Sequence, residues 1–207
     1  MHKKGKFLMG LGLLLVAGAL SLTLYNKYLE NAARKNSDSV LMQMAEIPLQ
    51  ESPKDPEYIP DYVIDPTRPM PTVELDGHHY CGSLSIPALG LSFPIMSEWN
   101  YTKLTIAPCV YVGTCYGPGF VIMAHNYNTH FGPIKNLEVG DEVTFRDLDY
   151  NVFHYVVEDT EELRATQIED MIDSGYDLTL FTCTPGGAAR VTVRLTLTDT
   201  ERLSVSE

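Results

Sequence analysis

Positive charge is scarce in this chain. Of 207 residues, 15 are lysine or arginine against 27 aspartate or glutamate, which leaves a formal net charge of −12. Three of those cations, Lys3, Lys4 and Lys6, sit at the extreme N-terminus, so the remainder is more acidic still. A nucleic-acid binder needs a basic face to neutralise phosphates, and this shortage argues against one. Also missing are any internal repeat, any glycine loop of the phosphate-cradling kind, and any histidine–cysteine spacing that reads as a zinc site. His78 and His79 ahead of the first strand, His130 in a loop or at a groove rim, and His154 in a strand therefore take ordinary readings. Cysteine is sparse too, with only Cys81, Cys109, Cys115 and Cys183.

What is present begins with an apolar run. Residues 7–25, FLMGLGLLLVAGALSLTLY, carry no charge and are long enough to cross a hydrocarbon core of about 30 Å as a helix. The lysines of segment 1–6 favour a cytoplasmic N-terminus with the rest of the chain outside. A cleaved signal peptide is the competing reading, since Ala17-Gly18-Ala19 resembles a small-residue cleavage site. The run continues past that site through Leu20, Leu22 and Leu24, which favours an uncleaved anchor. Residues 26–72 read as a stalk. Asn36 to Glu46 fit a short amphipathic helix, and Pro48, Pro53, Pro56, Pro60, Pro66, Pro69 and Pro71 then impose an extended spacer. Tyr58, Ile59, Tyr62 and Ile64 would give this spacer something to bury if it lay back over the domain as a lid.

A folded domain over 73–207 is mostly β. SLSIPALGLSFPIM (83–96) alternates apolar and polar residues between two prolines, while FVIMA (120–124) is continuously apolar and suits a strand buried on both faces. EVTFR (142–146) and NVFHYVV (151–157) flank Asp147–Tyr150 as a hairpin. Thr166 with Glu169 forms a capping box for a short helix whose inner face is Ile168, Met171 and Ile172, and Gly175 ends it. Short strands with turn signals predict a closed barrel or a sandwich. The acidic EDTEE (158–162) reads as a solvated loop, with Ca²⁺ binding the sharper alternative.

One stretch raises a chemical question. LTLFTCTPGGAARVTVRLTLT (178–198) places Cys183 at the end of an apolar strand, just before a Pro-Gly-Gly break. Strand alternation puts Thr179, Phe181 and Cys183 on one face, and Arg190, Thr192 and Arg194 on the polar face of the returning strand. A cysteine nucleophile works as thiolate and needs a base or positive charge nearby. His125 closes the run FVIMAH where that strand should surface. The three residues suit acyl transfer: Cys183 attacks a peptide carbonyl, His125 moves protons, and Arg190 supports the oxyanion.

TLFTC (179–183) matches the Thr-Leu-x-Thr-Cys signature of the sortases, the cysteine transpeptidases of Gram-positive cell surfaces. FVIMAHNYNTHFGPIKNLEVGDEVTF (120–145) resembles the family's histidine block, and GSLSIPALGLSFPI (82–95) its opening strand pair, all in the family's order. The resemblance implies an eight-stranded closed β-barrel with short helices, behind the transmembrane helix and Pro-rich stalk. It implies cleavage of an LPXTG-like sorting signal through a thioacyl-enzyme, resolved by an amine of a peptidoglycan precursor or a pilin. It maps the nucleophile to Cys183, the acid/base to His125 and the arginine to Arg190, with Thr182, Ala124 and Arg194 beside the substrate. Ala124 stands where the family most often has glycine. Only six residues separate Cys183 from Arg190, fewer than usual, so Arg194 is the alternative arginine. No cofactor is implied, and the localisation implied is a single-pass cell-membrane protein with its catalytic domain outside. Outside the cell, the even cysteine count also suggests disulfides, with Cys109 and Cys115 near enough for a small loop. The reading from another class is a non-catalytic anchored barrel that binds wall peptides, with Cys183 buried or paired to Cys81. The sequence leaves open the sortase subclass, which points both to class B and to classes C and D, together with the sorting signal and the acceptor.

Overall fold

A computed structural model describes residues 2–48 and 59–203, so Pro53, Pro56 and Tyr58 lie outside the described residues. Helix α1 (His2–Ala45) is one unbroken element, long and apolar enough over its first part to cross a membrane. The short helix expected over Asn36–Glu46 is thus the end of α1, which continues without a break from the apolar run through the first part of the stalk. The physical reason lies in the proline distribution: the first proline of the chain is Pro48, so nothing before it breaks the i→i−4 ladder. Ala33, Ser37, Val40 and Met44 are buried at helical spacing. Val40 and Met44 pack with Tyr80, Met96, Leu104, Ala107 and Cys109. Burying Val40 fully is worth about 1.5–3 kcal/mol, which fixes this end of α1 to the domain.

Nine strands follow among the described residues: β1 (Val73–Leu75), β2 (His78–Ile86), β3 (Leu91–Met96), β4 (Cys109–Val112), β5 (Phe120–Met123), β6 (Glu142–Asp147), β7 (Asn151–Arg164), β8 (Leu178–Cys183) and β9 (Ala189–Arg202). Their order is β1-β2-β3-β4-β5-β8-β9-β7-β6, and β2 also pairs with β6. That second pairing brings the sheet round on itself, so eight strands make the barrel and β1 is an added edge on β2. Helices α2 (Asp61–Ile64), α3 (Tyr101–Leu104) and α4 (Ile168–Ile172) are short.

Alternation is kept as the barrel requires. Phe120 and Ile122, Leu178 and Leu180, and Val191, Val193 and Leu195 point into the main core with Phe145 and Tyr155. Val121 and Phe181 face the other way, into a second apolar layer with Leu163 and Met171. β5 is therefore buried on both faces, as its unbroken apolar run predicts. The β6–β7 hairpin is held at its turn by the Asp147 carboxylate, which accepts from the Asn151 backbone N–H at 2.8 Å, its side-chain amide at 2.7 Å and the Tyr116 hydroxyl at 2.9 Å.

Three local expectations differ from the fold. The acidic 158–162 segment is not a loop: β7 runs through it, paired to β9 across bulges near His154 and Val157. His78 and His79 open β2 rather than preceding the first strand. The Thr166–Glu169 capping box does not form, because α4 starts one residue later, with Gln167 at its N-cap and no side-chain cap. The Gln167 side chain instead accepts from the Arg164 backbone at 2.9 Å and donates to Asp170 at 2.7 Å. Within the proline-rich segment, Tyr62 stacks on Tyr116 with centroids 5.0 Å apart, while Ile59 and Ile64 stay exposed.

Candidate active site

β8 is flanked by β5 on one side and β9 on the other. In the parallel β5–β8 ladder, Met123 stands level with Phe181. Two residues further along each chain, that register sets His125 beside Cys183. In the antiparallel β8–β9 ladder, Cys183 stands opposite Arg190. Adjacent strands lie about 4.8 Å apart and residues two apart share a face. His125, Cys183 and Arg190 therefore come to one end and one face of three neighbouring strands, outside the barrel core. All three line a cavity of about 260 Å³, whose apolar walls include Trp99, Tyr111, Phe181, Ile168 and Met171. No residue of 59–72 lines this cavity, so the segment expected as a possible lid covers a different part of the barrel.

The loop between Cys183 and Arg190 is short enough to fix their relation. Gly186 and Gly187 both take positive φ, at 85° and 76°, a region open to glycine at no steric cost. The Thr184 backbone N–H donates to the Ala189 carbonyl at 3.0 Å, and the Gly187 N–H to the Thr184 carbonyl at 2.8 Å. Six intervening residues thus close a tight hairpin end instead of displacing the arginine. The Arg190 guanidinium donates to the Gly187 and Ala189 carbonyls at 3.1 and 3.0 Å. Arg194 lies elsewhere along the same face, opposite Thr179. It is 2% exposed and donates to Glu161 at 2.8 Å, the Met171 and Asp170 carbonyls at 3.1 and 2.6 Å, and Thr179 at 3.0 Å. A buried cation so fully engaged ties α4 and β7 to β9. It does not line the cavity.

Thr182 and Ala124 form the strut behind the thiol. Thr182 alternates with Cys183 and faces inward, 2% exposed, and its hydroxyl donates to the Ala124 carbonyl at 2.8 Å. The Ala124 N–H donates to the Phe181 carbonyl at 3.2 Å. Together these bonds extend the β5–β8 alignment to the residue before His125. Half-buried, His125 has its pKa lowered from the ordinary 6.5 by desolvation, which favours a neutral ring able to accept a proton. The Tyr127 ring stacks on it, with centroids 4.9 Å apart.

All four cysteines are free thiols. Cys81, Cys109 and Cys115 are buried, and Cys183 is partly exposed. Burial pushes the Cys81 and Cys115 pKa values upward and that of Cys109 up to about 12, so these three are inert, protonated core residues. The Cys109–Cys115 bridge expected outside the cell is not formed, and the two side chains belong to different apolar clusters. Among the described residues no group of three or more histidine, cysteine, aspartate or glutamate side chains is placed to hold a metal ion. Sequence reasoning did not single out the aromatic wall of the cavity. Trp99 and Tyr101 come from the β3–β4 connection and Tyr111 from β4, and they meet there only in three dimensions.

A family model described as a sortase domain matches residues 84–198. No curated protein matches the chain in sequence. Among solved structures the fold is similar to sortase A from Listeria monocytogenes, at 21% identity and a TM-score of 0.55, covering 61% of this chain and 92% of that one. It is similar to sortase E from Streptomyces avermitilis at 25% identity and a TM-score of 0.53, covering 59% and 90%. Sortase C-3 from Streptococcus pneumoniae shares 22% identity at a TM-score of 0.55, covering 85% and 86%. These likenesses span three classes and select none.

Proposed function

This chain belongs to the sortase family, and we propose that it is a membrane-anchored cysteine transpeptidase acting on sorting signals of surface proteins through Cys183. The observation that carries the reading is the register of β5, β8 and β9, which lines up His125, Cys183 and Arg190 at the mouth of one cavity. The Cys183 sulfur attacks the carbonyl carbon of an LPXTG-like signal while His125 takes the thiol proton. The carbonyl oxygen becomes an oxyanion against the Arg190 guanidinium. Collapse breaks the C–N bond, the proton passes from His125 to the leaving amine, and a thioester remains on Cys183. An acceptor amine from a peptidoglycan precursor or a pilin then attacks that thioester. His125 receives the amine proton and returns it to the sulfur, leaving an amide and the free thiol. The apolar cavity walls suit an extended peptide with an apolar residue near the scissile bond. Thr182, with its hydroxyl on Ala124, holds the strands in line behind this chemistry.

The test uses the full chain in detergent, mixed with a pool of sorting-signal peptides and followed by intact-protein mass spectrometry. Wild type gains a thioacyl mass that an added amine discharges, and Cys183→Ala gains none. Arg190→Ala slows thioacylation by about 10²–10³-fold, the scale of losing one oxyanion donor. Arg194→Met instead lowers stability, by about 1–3 kcal/mol, because it leaves the α4 carbonyls of Asp170 and Met171 without their donor. No adduct with any peptide, together with a Cys183 that resists thiol reagents in the folded protein, would overturn the reading in favour of a barrel that only binds wall peptides.

A further inference from the structure

His125 is carried by a loop, residues 125–132, that leaves β5 and ends in a 3₁₀ turn (Gly132–Asn136). The loop winds tightly on itself. His130 N–H and Gly132 N–H both donate to the Tyr127 carbonyl, at 3.0 and 2.9 Å, and Phe131 N–H donates to the His125 carbonyl at 3.1 Å. Glycine is required at 132, since a Cβ there would stand 2.6 Å from the Asn126 carbonyl oxygen and 2.7 Å from that of Tyr127. Two consecutive amides, those of Asn128 and Thr129, point away from this winding. They find their acceptor in α1, a remote element. Glu30 Oε1 accepts from Asn128 N–H at 2.5 Å and from Thr129 N–H at 3.3 Å. The Thr129 hydroxyl adds a bond to the Glu30 carbonyl at 3.3 Å.

The residue just before these amides is Tyr127, whose ring lies nearly parallel to the His125 imidazole at 26° and 4.9 Å. Its other neighbour is His130, with centroids 5.4 Å apart, and that ring is wholly buried. A chain of contact therefore runs from α1 through the loop backbone to Tyr127 and on to the imidazole. Asn126 and Asn128 are exposed, so packing alone does not hold the loop tip; the Glu30 carboxylate does. We propose that Glu30 is a positioning residue for His125, so that the anchor helix is a structural part of the reacting centre as well as a tether. The inference rests on the reading of His125 as the proton carrier. Without the clamp the loop tip exchanges its two amide bonds for water at little cost in stability, but the imidazole spends less time in reacting geometry. Misplacement on the order of 1 Å costs up to about 10²-fold in rate.

The experiment measures single-turnover thioacylation of the full chain in detergent against peptide concentration. Glu30→Ala lowers the maximal rate by about 10-fold or more, leaves the half-saturating peptide concentration unchanged, and shifts the unfolding midpoint little. Glu30→Gln keeps an Oε1 acceptor for both amides and recovers the rate to within about twofold. In a Tyr127→Ala background the further loss from Glu30→Ala disappears, because the relay is already cut. An unchanged maximal rate in Glu30→Ala, or full additivity with Tyr127→Ala, overturns the proposal while wild-type thioacylation leaves the transpeptidase reading standing. Absence of wild-type thioacylation overturns both.

Discussion

His130 is wholly buried five residues beyond His125, with no well-formed hydrogen bond on either ring nitrogen. Desolvation first, and the nearby His125 second, lower its pKa from 6.5 to about 4, against a partial offset from the Ile106 backbone. In the unfolded chain the ring takes its proton near 6.5, and in the folded chain only near 4. Between those values the unfolded state binds more protons, so stability falls as pH drops through the window, by about 3 kcal/mol when complete. His130→Phe, which keeps an aromatic ring against Phe93, removes this loss. Denaturation midpoints of wild type and variant at pH 7 and pH 4.5 read it directly, and equal acid losses would refute it. Strand alternation could not announce such a residue, because a histidine in a polar loop carries no sign of burial. The arginines show the same limit. Alternation sets Arg190 and Arg194 on one face, but only the fold brings Glu161, 33 positions away in sequence, onto Arg194 and leaves Arg190 at the thiol.

Among the elements, the strands were the most legible. Period-two patterns and the TLFTC–arginine hairpin already contain the Cys183–Arg190 pairing, since a tight loop after a strand leaves few registers. The β5–β8 alignment was only implied by the family resemblance, because parallel neighbours 58 residues apart leave no local trace. Helix α1 was read in pieces. Its apolar run stops at Tyr25, and the polar turns after it look like a stalk until a partner surface is known. The stripe Ala33, Ser37, Val40 and Met44 becomes a docking face only in the fold, which buries all four and sets Val40 and Met44 against Tyr80 and Met96. Val40→Asp places an unpaired charge in that interface. Amide hydrogen exchange should then rise across residues 33–45 while β8 and β9 keep their protection, since the main barrel core contains no α1 side chain. Loss of protection in both regions would show that the helix belongs to the cooperative barrel.

For the whole molecule, acidity and the apolar half of α1 set the expected behaviour together. With a net charge of −12, electrostatics repel the domain from an anionic bilayer, so the proposed anchoring rests on the helix. Full-length protein should float with liposomes regardless of salt, whereas a chain beginning after residue 25 should sediment. Flotation of the shortened chain would assign membrane affinity to the domain. The continuity of α1 has a mechanical meaning. Glu30 follows Tyr25 by five residues, a rise of about 7.5 Å along a helix, and the rod between them contains no hinge. In the anchored transpeptidase proposed above, the thiol then has a fixed altitude above the lipid, and bilayer thickness or helix tilt becomes a coordinate that decides which sorting signals come within reach.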